Sequence, residues 1–180
     1  MTQAHSDFPL TADELRTVAS FATESAQQLL PYFEAEAPDD PRPRAALDAA
    51  RAFADGAPRT ILQRVAALDA HRAAQEITSE AGQLAARACG DAAAAAYLHP
   101  IARATQVGHI LRAAACAARV AELEAGGDEA AAAQSIKSTC DRATSVLVDV
   151  LGRYPTAPIG KNRLAQLMST LDSSLRHLET

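Results

Sequence analysis

The residues with the clearest capacity for acid–base or metal chemistry are three histidines in the middle of the sequence. His71, His99 and His109 fall in predicted central helices, and imidazole both ligates metals and exchanges protons near neutral pH. None of them has a glutamate three residues earlier, the pair that supplies metal ligands in helical bundles. On one continuous helix, a spacing of ten residues would also place His99 and His109 on different faces. These rings either form a metal or catalytic site with a carboxylate such as Glu76, or they are buried and hydrogen-bonded between helices.

A dense group of charged side chains near the end of the first predicted helix is the second candidate. Its members are Glu34, Glu36, Asp39, Asp40, Arg42, Arg44 and Arg51. The adjacent carboxylates Asp39 and Asp40 point in different directions, so they do not form a catalytic pair. They either cap the second helix and pair with the arginines that follow, or they belong to a binding surface. Arg44 and Arg51 lie on one helical face, where they could hold these acidic residues in place or engage an acidic ligand.

The sequence contains no other recognisable catalytic motif. It has no Gly-x-Ser-x-Gly sequence and no glycine-rich phosphate loop. Cys89, Cys116 and Cys140 are widely spaced, with neither a Cys-x-x-Cys pair nor zinc-finger spacing. We therefore predict buried structural cysteines and no cofactor, and we favour a protein that is not an enzyme.

Helices must position these residues, because alanine dominates the composition. The chain has 44 alanines among 180 residues, 4% aromatic residues and no tryptophan. Alanine is the best helix former and is depleted in strands. The composition thus excludes a β-sandwich, a β-barrel, a disulfide-rich scaffold and a disordered chain, and it favours closely packed helices.

Apolar spacing, capping motifs and Gly/Pro breaks predict an all-α, single-domain bundle of six to seven helices over residues 1–180, with residues 1–10 as a flexible N-terminus. The predicted helices cover about residues 11–33, 43–55, 59–77, 80–97, 100–125, 129–151 and 162–178. Four aliphatic residues mark the apolar face of the third helix: Ile61, Leu62, Val65 and Leu68. The last helix carries the clearest amphipathic stripe, five leucines from Leu164 to Leu178.

The charge distribution limits the classes of partner. A net charge of −5 is unfavourable for binding duplex nucleic acid. The first 41 residues hold eight carboxylates and one arginine, so they form either a solvated acidic helix or an acidic docking face for a basic partner. No signal peptide or membrane-spanning segment is recognisable, so we expect a cytoplasmic protein.

One segment resembles a known family. This segment is similar to the hallmark of the immunity-five-like family of bacterial immunity proteins. It consists of Phe33-Glu34, then Pro38-Asp39-Asp40-Pro41-Arg42-Pro43-Arg44, then an alanine-rich helix to Phe53. Further similarity lies in residues 70–74, 85–90, 97–100 and 104–111. The likeness covers about residues 12–125 and departs at Ala96-Tyr97, where many members carry an Ala-His pair. It implies an all-α fold and a role in binding and neutralising a toxin.

We therefore predict a non-enzymatic helical protein that binds a protein partner, with the acidic first helix and the charged group as its surface. The alternative is a metal-binding or small-molecule-binding protein, or an enzyme, that uses His71, His99 and His109. A third possibility is a homo-oligomer formed through the leucines of the last helix. Residues 128–180 carry no motif that assigns them a role.

Overall fold

The computed structural model describes residues 8–178, which form eight α-helices, two short 3-10 helices and no strand. The helices are α1 (Ala12–Glu34), α2 (Arg42–Ala54), α3 (Ile61–Glu76), α4 (Glu80–Ala94), α5 (Val107–Glu124), α6 (Glu129–Asp141), α7 (Ser145–Gly152) and α8 (Arg163–Arg176). The 3-10 helices are Ala95–Tyr97 and Ala104–Gln106. The predicted all-α class is confirmed, and the number of helices is one above the predicted range.

The predicted flexible N-terminus falls partly outside the described residues, which begin at Phe8. The Phe8 backbone N–H donates to the carbonyl of Pro100, and its ring lies edge-on to Tyr154 with centroids 4.9 Å apart. The first helix then begins as predicted, because Thr11 and Glu14 form a reciprocal capping box.

Two predicted helix boundaries are wrong. The predicted sixth helix, 129–151, is divided into α6 and α7, because the Thr144 hydroxyl accepts from the N–H of Leu147 and starts a new helix. The predicted fifth helix does not begin at Pro100. Tight backbone turns bond Ile101 to His99 and Arg103 to Ile101, so α5 starts only at Val107. His99 therefore precedes α5 and does not lie on it.

Helix α4 lies at the centre of the fold, with α1, α2, α3 and α5 packed against it. Every residue from Leu84 to Ala96 is buried except Arg87 and Ala94. Gly90 marks the closest approach of α3, because a Cβ placed there would lie 3.0 Å from the carbonyl oxygen of Ala67 and 2.9 Å from Nε2 of His71. Only small side chains fit between helices at this separation.

The predicted apolar face of α3 is wrong in its orientation. Gln63 and five alanines face the core: Ala66, Ala67, Ala70, Ala73 and Ala74. The four aliphatic residues point outward, with exposed fractions of 72% for Ile61, 56% for Leu62, 46% for Val65 and 53% for Leu68. The helix is amphipathic in sequence, but its alanine side is the one that fits against α4.

The leucine stripe of α8 packs inside the chain. Leu167, Leu171 and Leu175 are buried, and α8 contacts α5, α6 and α7. The Arg163 guanidinium binds the buried Glu122 carboxylate of α5, with Nε 3.0 Å from Oε1. Association of two copies through this helix stays a prediction. Between residues 8 and 178, no helix is long and apolar enough to span a membrane.

We predict that Gly90→Ala destabilises the protein by about 1–3 kcal/mol, as overpacking of a filled interior typically does. The added methyl group would push α3 away from α4 and displace His71. Urea denaturation followed by circular dichroism measures the change.

Gly152→Ala is the matched control, since a Cβ there meets nothing within 4 Å. At this helical position the substitution should be neutral or stabilise by up to about 1 kcal/mol. A Gly90→Ala protein as stable as the wild type would contradict the close α3–α4 packing.

Candidate functional site

The charged group predicted from the sequence is held together by ion pairs within the chain. Arg44 binds Glu34 through two parallel hydrogen bonds of 2.7 and 2.8 Å. Arg42 binds Asp40 at the start of α2, and its Nη1 also lies 3.1 Å from Glu76 at the end of α3. The Arg42 guanidinium lowers the pKa of both carboxyls. Of the local ion pairs considered for Asp39 and Asp40, the structure shows Asp40 with Arg42, whereas Arg44 pairs with Glu34 instead.

Glu36 accepts four hydrogen bonds from two consecutive residues. Its carboxylate accepts hydrogen bonds from the backbone N–H and the hydroxyl of Thr78, at 2.8 and 2.6 Å, and from those of Ser79, at 3.3 and 2.6 Å. These donors lie just before α4, so the carboxylate also faces the positive end of the helix dipole. The hydrogen bonds, first those from the Ser79 and Thr78 hydroxyls, lower the pKa of Glu36 to about 2.

The acidic excess of the N-terminal region is balanced by arginines from later in the chain. Glu14 pairs with Arg153, and Glu24 lies 3.8 Å from Arg142. Among the charged group itself, Arg51 contacts Asp48. Asp39 is exposed and makes no hydrogen bond or ion pair with any residue between 8 and 178. Binding of a partner by the charged group stays a prediction.

The three histidines line one cavity of about 270 Å³. His71 comes from α3, His99 from the segment before α5, and His109 from the first turn of α5. The expectation from helical spacing that His99 and His109 face apart fails, because they do not share a helix. Over residues 8–178, no group of three or more His, Cys, Asp or Glu side chains is arranged to hold a metal ion. The histidines thus share a cavity without forming a metal centre there.

A buried carboxylate lies behind the cavity. Asp91 of α4 is 2% exposed, and its Oδ1 is 3.0 Å from Nη1 of Arg112 and 3.6 Å from Nε2 of His71. Burial raises the pKa of Asp91, while Arg112 and His71 favour the ionised carboxylate. Gly108 makes room for this arginine, because a Cβ there would collide with the guanidinium. A buried acid tied to an arginine beside a cavity is typical of functional sites.

Arg64 and Tyr97 complete the mouth of the cavity. The Arg64 guanidinium carbon lies 4.8 Å from the centre of the Tyr97 ring, within cation–π range. The Tyr97 hydroxyl donates to the carbonyl of Thr60 at 2.7 Å. The remaining wall is formed by Ala67, Leu68 and Ala94. Leu68 also belongs to the exposed aliphatic face of α3, so the cavity opens beside that face.

Sequence reasoning missed Asp91, Arg112, Arg64 and Tyr97 as parts of this site. Asp91 did carry a signal, because it is the one acidic residue within the alanine-rich run of α4 from Ala81 to Ala94. A charge in a helix that is otherwise buried needs a partner. The partner Arg112 is 21 residues away in sequence, and no spacing pattern connects the two.

Comparison with known families is consistent with the resemblance seen in the charged segment. A family model described as "Imm-5 like putative immunity protein" matches residues 9–145. The chain belongs to this immunity-protein family. No curated protein and no solved structure matches the chain. The matched residues include helices α1 to α6, whereas α8 lies outside the match. The aliphatic face of α3 and the histidine cavity therefore both lie in the part of the chain that matches the family.

We predict that Glu36→Gln lowers stability at neutral pH and that its effect disappears in acid. The folded-state pKa of Glu36, about 2, lies below its usual value of 4.5. The stabilisation is therefore complete above about pH 4.5 and is lost as the pH falls towards 2. Urea denaturation midpoints of wild type and variant across this range measure the difference.

Asp39→Asn is the matched control, as it removes an exposed carboxylate from the same loop. Its effect should stay within about 0.5 kcal/mol at every pH. If Glu36→Gln and Asp39→Asn behave alike, the Glu36 contacts do not hold α1 to the start of α4.

Proposed function

We propose that this immunity-family protein neutralises a protein toxin by binding it stoichiometrically, without catalysis, through the outward face of α3. This "α3 face" consists of Ile61, Leu62, Val65 and Leu68. The observation that carries the proposal is the exposure of all four side chains, each at least 46% accessible. Only three other large apolar residues are exposed in the described chain, Val146, Ile159 and Leu178, and none of them belongs to α3.

The α3 face has the character of a protein-binding surface. Ile61, Val65 and Leu68 follow at steps of four and three residues, so they lie along one side of the helix. Contiguous exposed apolar side chains in a protein of this size typically mark an interaction site. Arginines flank them, with Arg59 and Arg64 both within cation–π range of Tyr97. Aromatic residues and arginine are the residues enriched at interface hot spots.

The charged group supports the same function less directly. Glu34, Asp40 and Arg42 are already engaged within the chain, and a partner would have to compete with those ion pairs. Asp39 and the exposed Arg44 border the same end of α2. The charged group contacts α3 at Glu76, at the other end of the helix from Ile61, so we assign it to steering the encounter with the partner, to which exposed charges contribute little affinity.

We predict that the double substitution Ile61→Gln with Val65→Gln weakens binding of a cognate toxin, to be sought first in the product of the adjacent gene, by about thirtyfold or more, which corresponds to about 2 kcal/mol, the size of a hot-spot loss. Both residues are exposed, so the fold should be kept. Isothermal titration calorimetry of purified toxin against wild type and variant measures the effect.

Ile159→Gln is the control, since Ile159 is 95% exposed and lies in the loop before α8. It should leave the affinity unchanged. Equal affinity of the double variant and the wild type would overturn the α3 face as the binding surface. Sedimentation of the free proteins serves as a second test, because a wild-type dimer that the double variant abolishes would make this face a contact between copies instead.

A further inference from the structure

The cavity beside the α3 face has an unusual set of polar groups for a protein with net charge −5. Four of its eight lining residues carry nitrogen donors, Arg64, His71, His99 and His109, and none of the eight is acidic. The other four are apolar or aromatic. Arg64 forms no ion pair with residues 8–178, so its charge is not neutralised there. The cavity is therefore suited to an anionic group attached to an apolar stem.

The charges behind the cavity do not cancel this preference. Asp91 is paired with Arg112, so the two together contribute no net charge. Nδ1 of His109 is buried and has no hydrogen-bond partner in the described part of the chain. Burial, with smaller effects from Arg112, His99 and His71, lowers the pKa of His109 to about 4, so its ring is neutral near pH 7.

We infer that this cavity receives the carboxylate side chain of an aspartate or glutamate projecting from the protein that covers the α3 face. The inference rests on the proposed function, since it names one anchor of the same partner. A volume of about 270 Å³ is small for an ordinary ligand pocket, which starts near 300 Å³, and suits a single side chain. Leu68 belongs to both the cavity and the α3 face, so one partner surface would cover the two together.

A carboxylate in this cavity would make binding depend on pH. An anion close to imidazole favours the protonated ring and raises its pKa. For His109, whose pKa starts at about 4, binding then takes up a proton and tightens as the pH falls from 7 towards 5, where a glutamate side chain is still mostly ionised. The titratable or charged groups facing the cavity from each element are Arg64 and His71 of α3, Asp91 of α4, Tyr97 of the first 3-10 helix, His99 of the following segment, and His109 and Arg112 of α5.

The test uses a small probe and needs no toxin. The probe is Nα-acetyl-glutamic acid α-amide, whose only charge is the side-chain carboxylate, and the matched uncharged probe is Nα-acetyl-glutamine amide. Titration of the full chain is followed through the imidazole proton resonances in NMR at pH 5 and pH 7. We expect the glutamate probe to shift the His71, His99 and His109 signals, to raise the pKa of His109, and to bind more tightly at pH 5. The glutamine probe should cause no such shift.

Two variants locate the effect without disturbing the core. Arg64→Met removes the exposed cation but keeps the aliphatic stem over Tyr97, and should weaken binding of the glutamate probe by about fivefold. Lys137→Met removes an exposed cation from α6 and should leave it unchanged. Equal effects of the two variants, equal shifts by both probes, or no shift by either would overturn the carboxylate site. Inorganic phosphate shifting the histidines while the glutamate probe does not would also overturn it, in favour of a small-anion site.

Failure of the carboxylate site can be distinguished from failure of the proposed toxin binding. Ile61→Gln with Val65→Gln lies outside the cavity lining, so that variant should bind the glutamate probe like the wild type. The double variant could lose toxin binding while the glutamate probe fails to shift the histidine signals of the wild type. That pair of results would keep the α3 face as a docking surface and remove only the carboxylate anchor.

Discussion

The close approach of α3 to α4 is the constraint on which the rest of the structure depends. At Gly90 the backbone oxygen of Ala67 lies 3.0 Å from the position of a Cβ atom, so the helices leave no room for a larger side chain at this contact. The large aliphatic residues of α3 are consequently turned outward, where they form the α3 face. The same contact seats His71 against Gly90, at the edge of the cavity. One packing distance therefore fixes both the exposed surface and the site beside it.

Charged side chains are likewise paired with residues that lie far away in the sequence. The carboxylates of α1 are balanced by arginines that follow α6 and α7, such as Arg142 and Arg153. Glu36 connects the end of α1 to the start of α4, and Arg42 connects α2 to α3. The buried Asp91 depends on Arg112 in the next helix. Arg64 at the cavity mouth is one of several cations that have no ion-pair partner among residues 8–178, and it is the one arginine that lines the cavity.

The sequence was sufficient for the helical class and for helix ends controlled by local chemistry. α1 begins after Thr11, which forms a capping box with Glu14, and α6 begins at Glu129 after the N-cap Asp128, close to the predicted starts at residues 11 and 129. The sequence was insufficient where contacts between residues far apart in the chain decide which side of a helix is buried or which side chains meet. An aliphatic stripe and an alanine stripe on α3 have the same period, so periodicity alone cannot say which one faces α4. For the same reason His99 and His109 could be brought together only by the turns after Pro100, which no spacing rule contained.

We propose that the outward face of α3, with its cavity, meets a protein toxin. Hydrogen–deuterium exchange of the full chain, alone and in complex with a cognate toxin sought first in the product of the adjacent gene, tests this proposal most directly. We predict that protection on complex formation appears in α3 and in the segment from Tyr97 to Val107, while α8 exchanges as in the free protein. Protection confined to residues 33–44, or to α8, would contradict the assignment and place the interface on the charged group or the last helix.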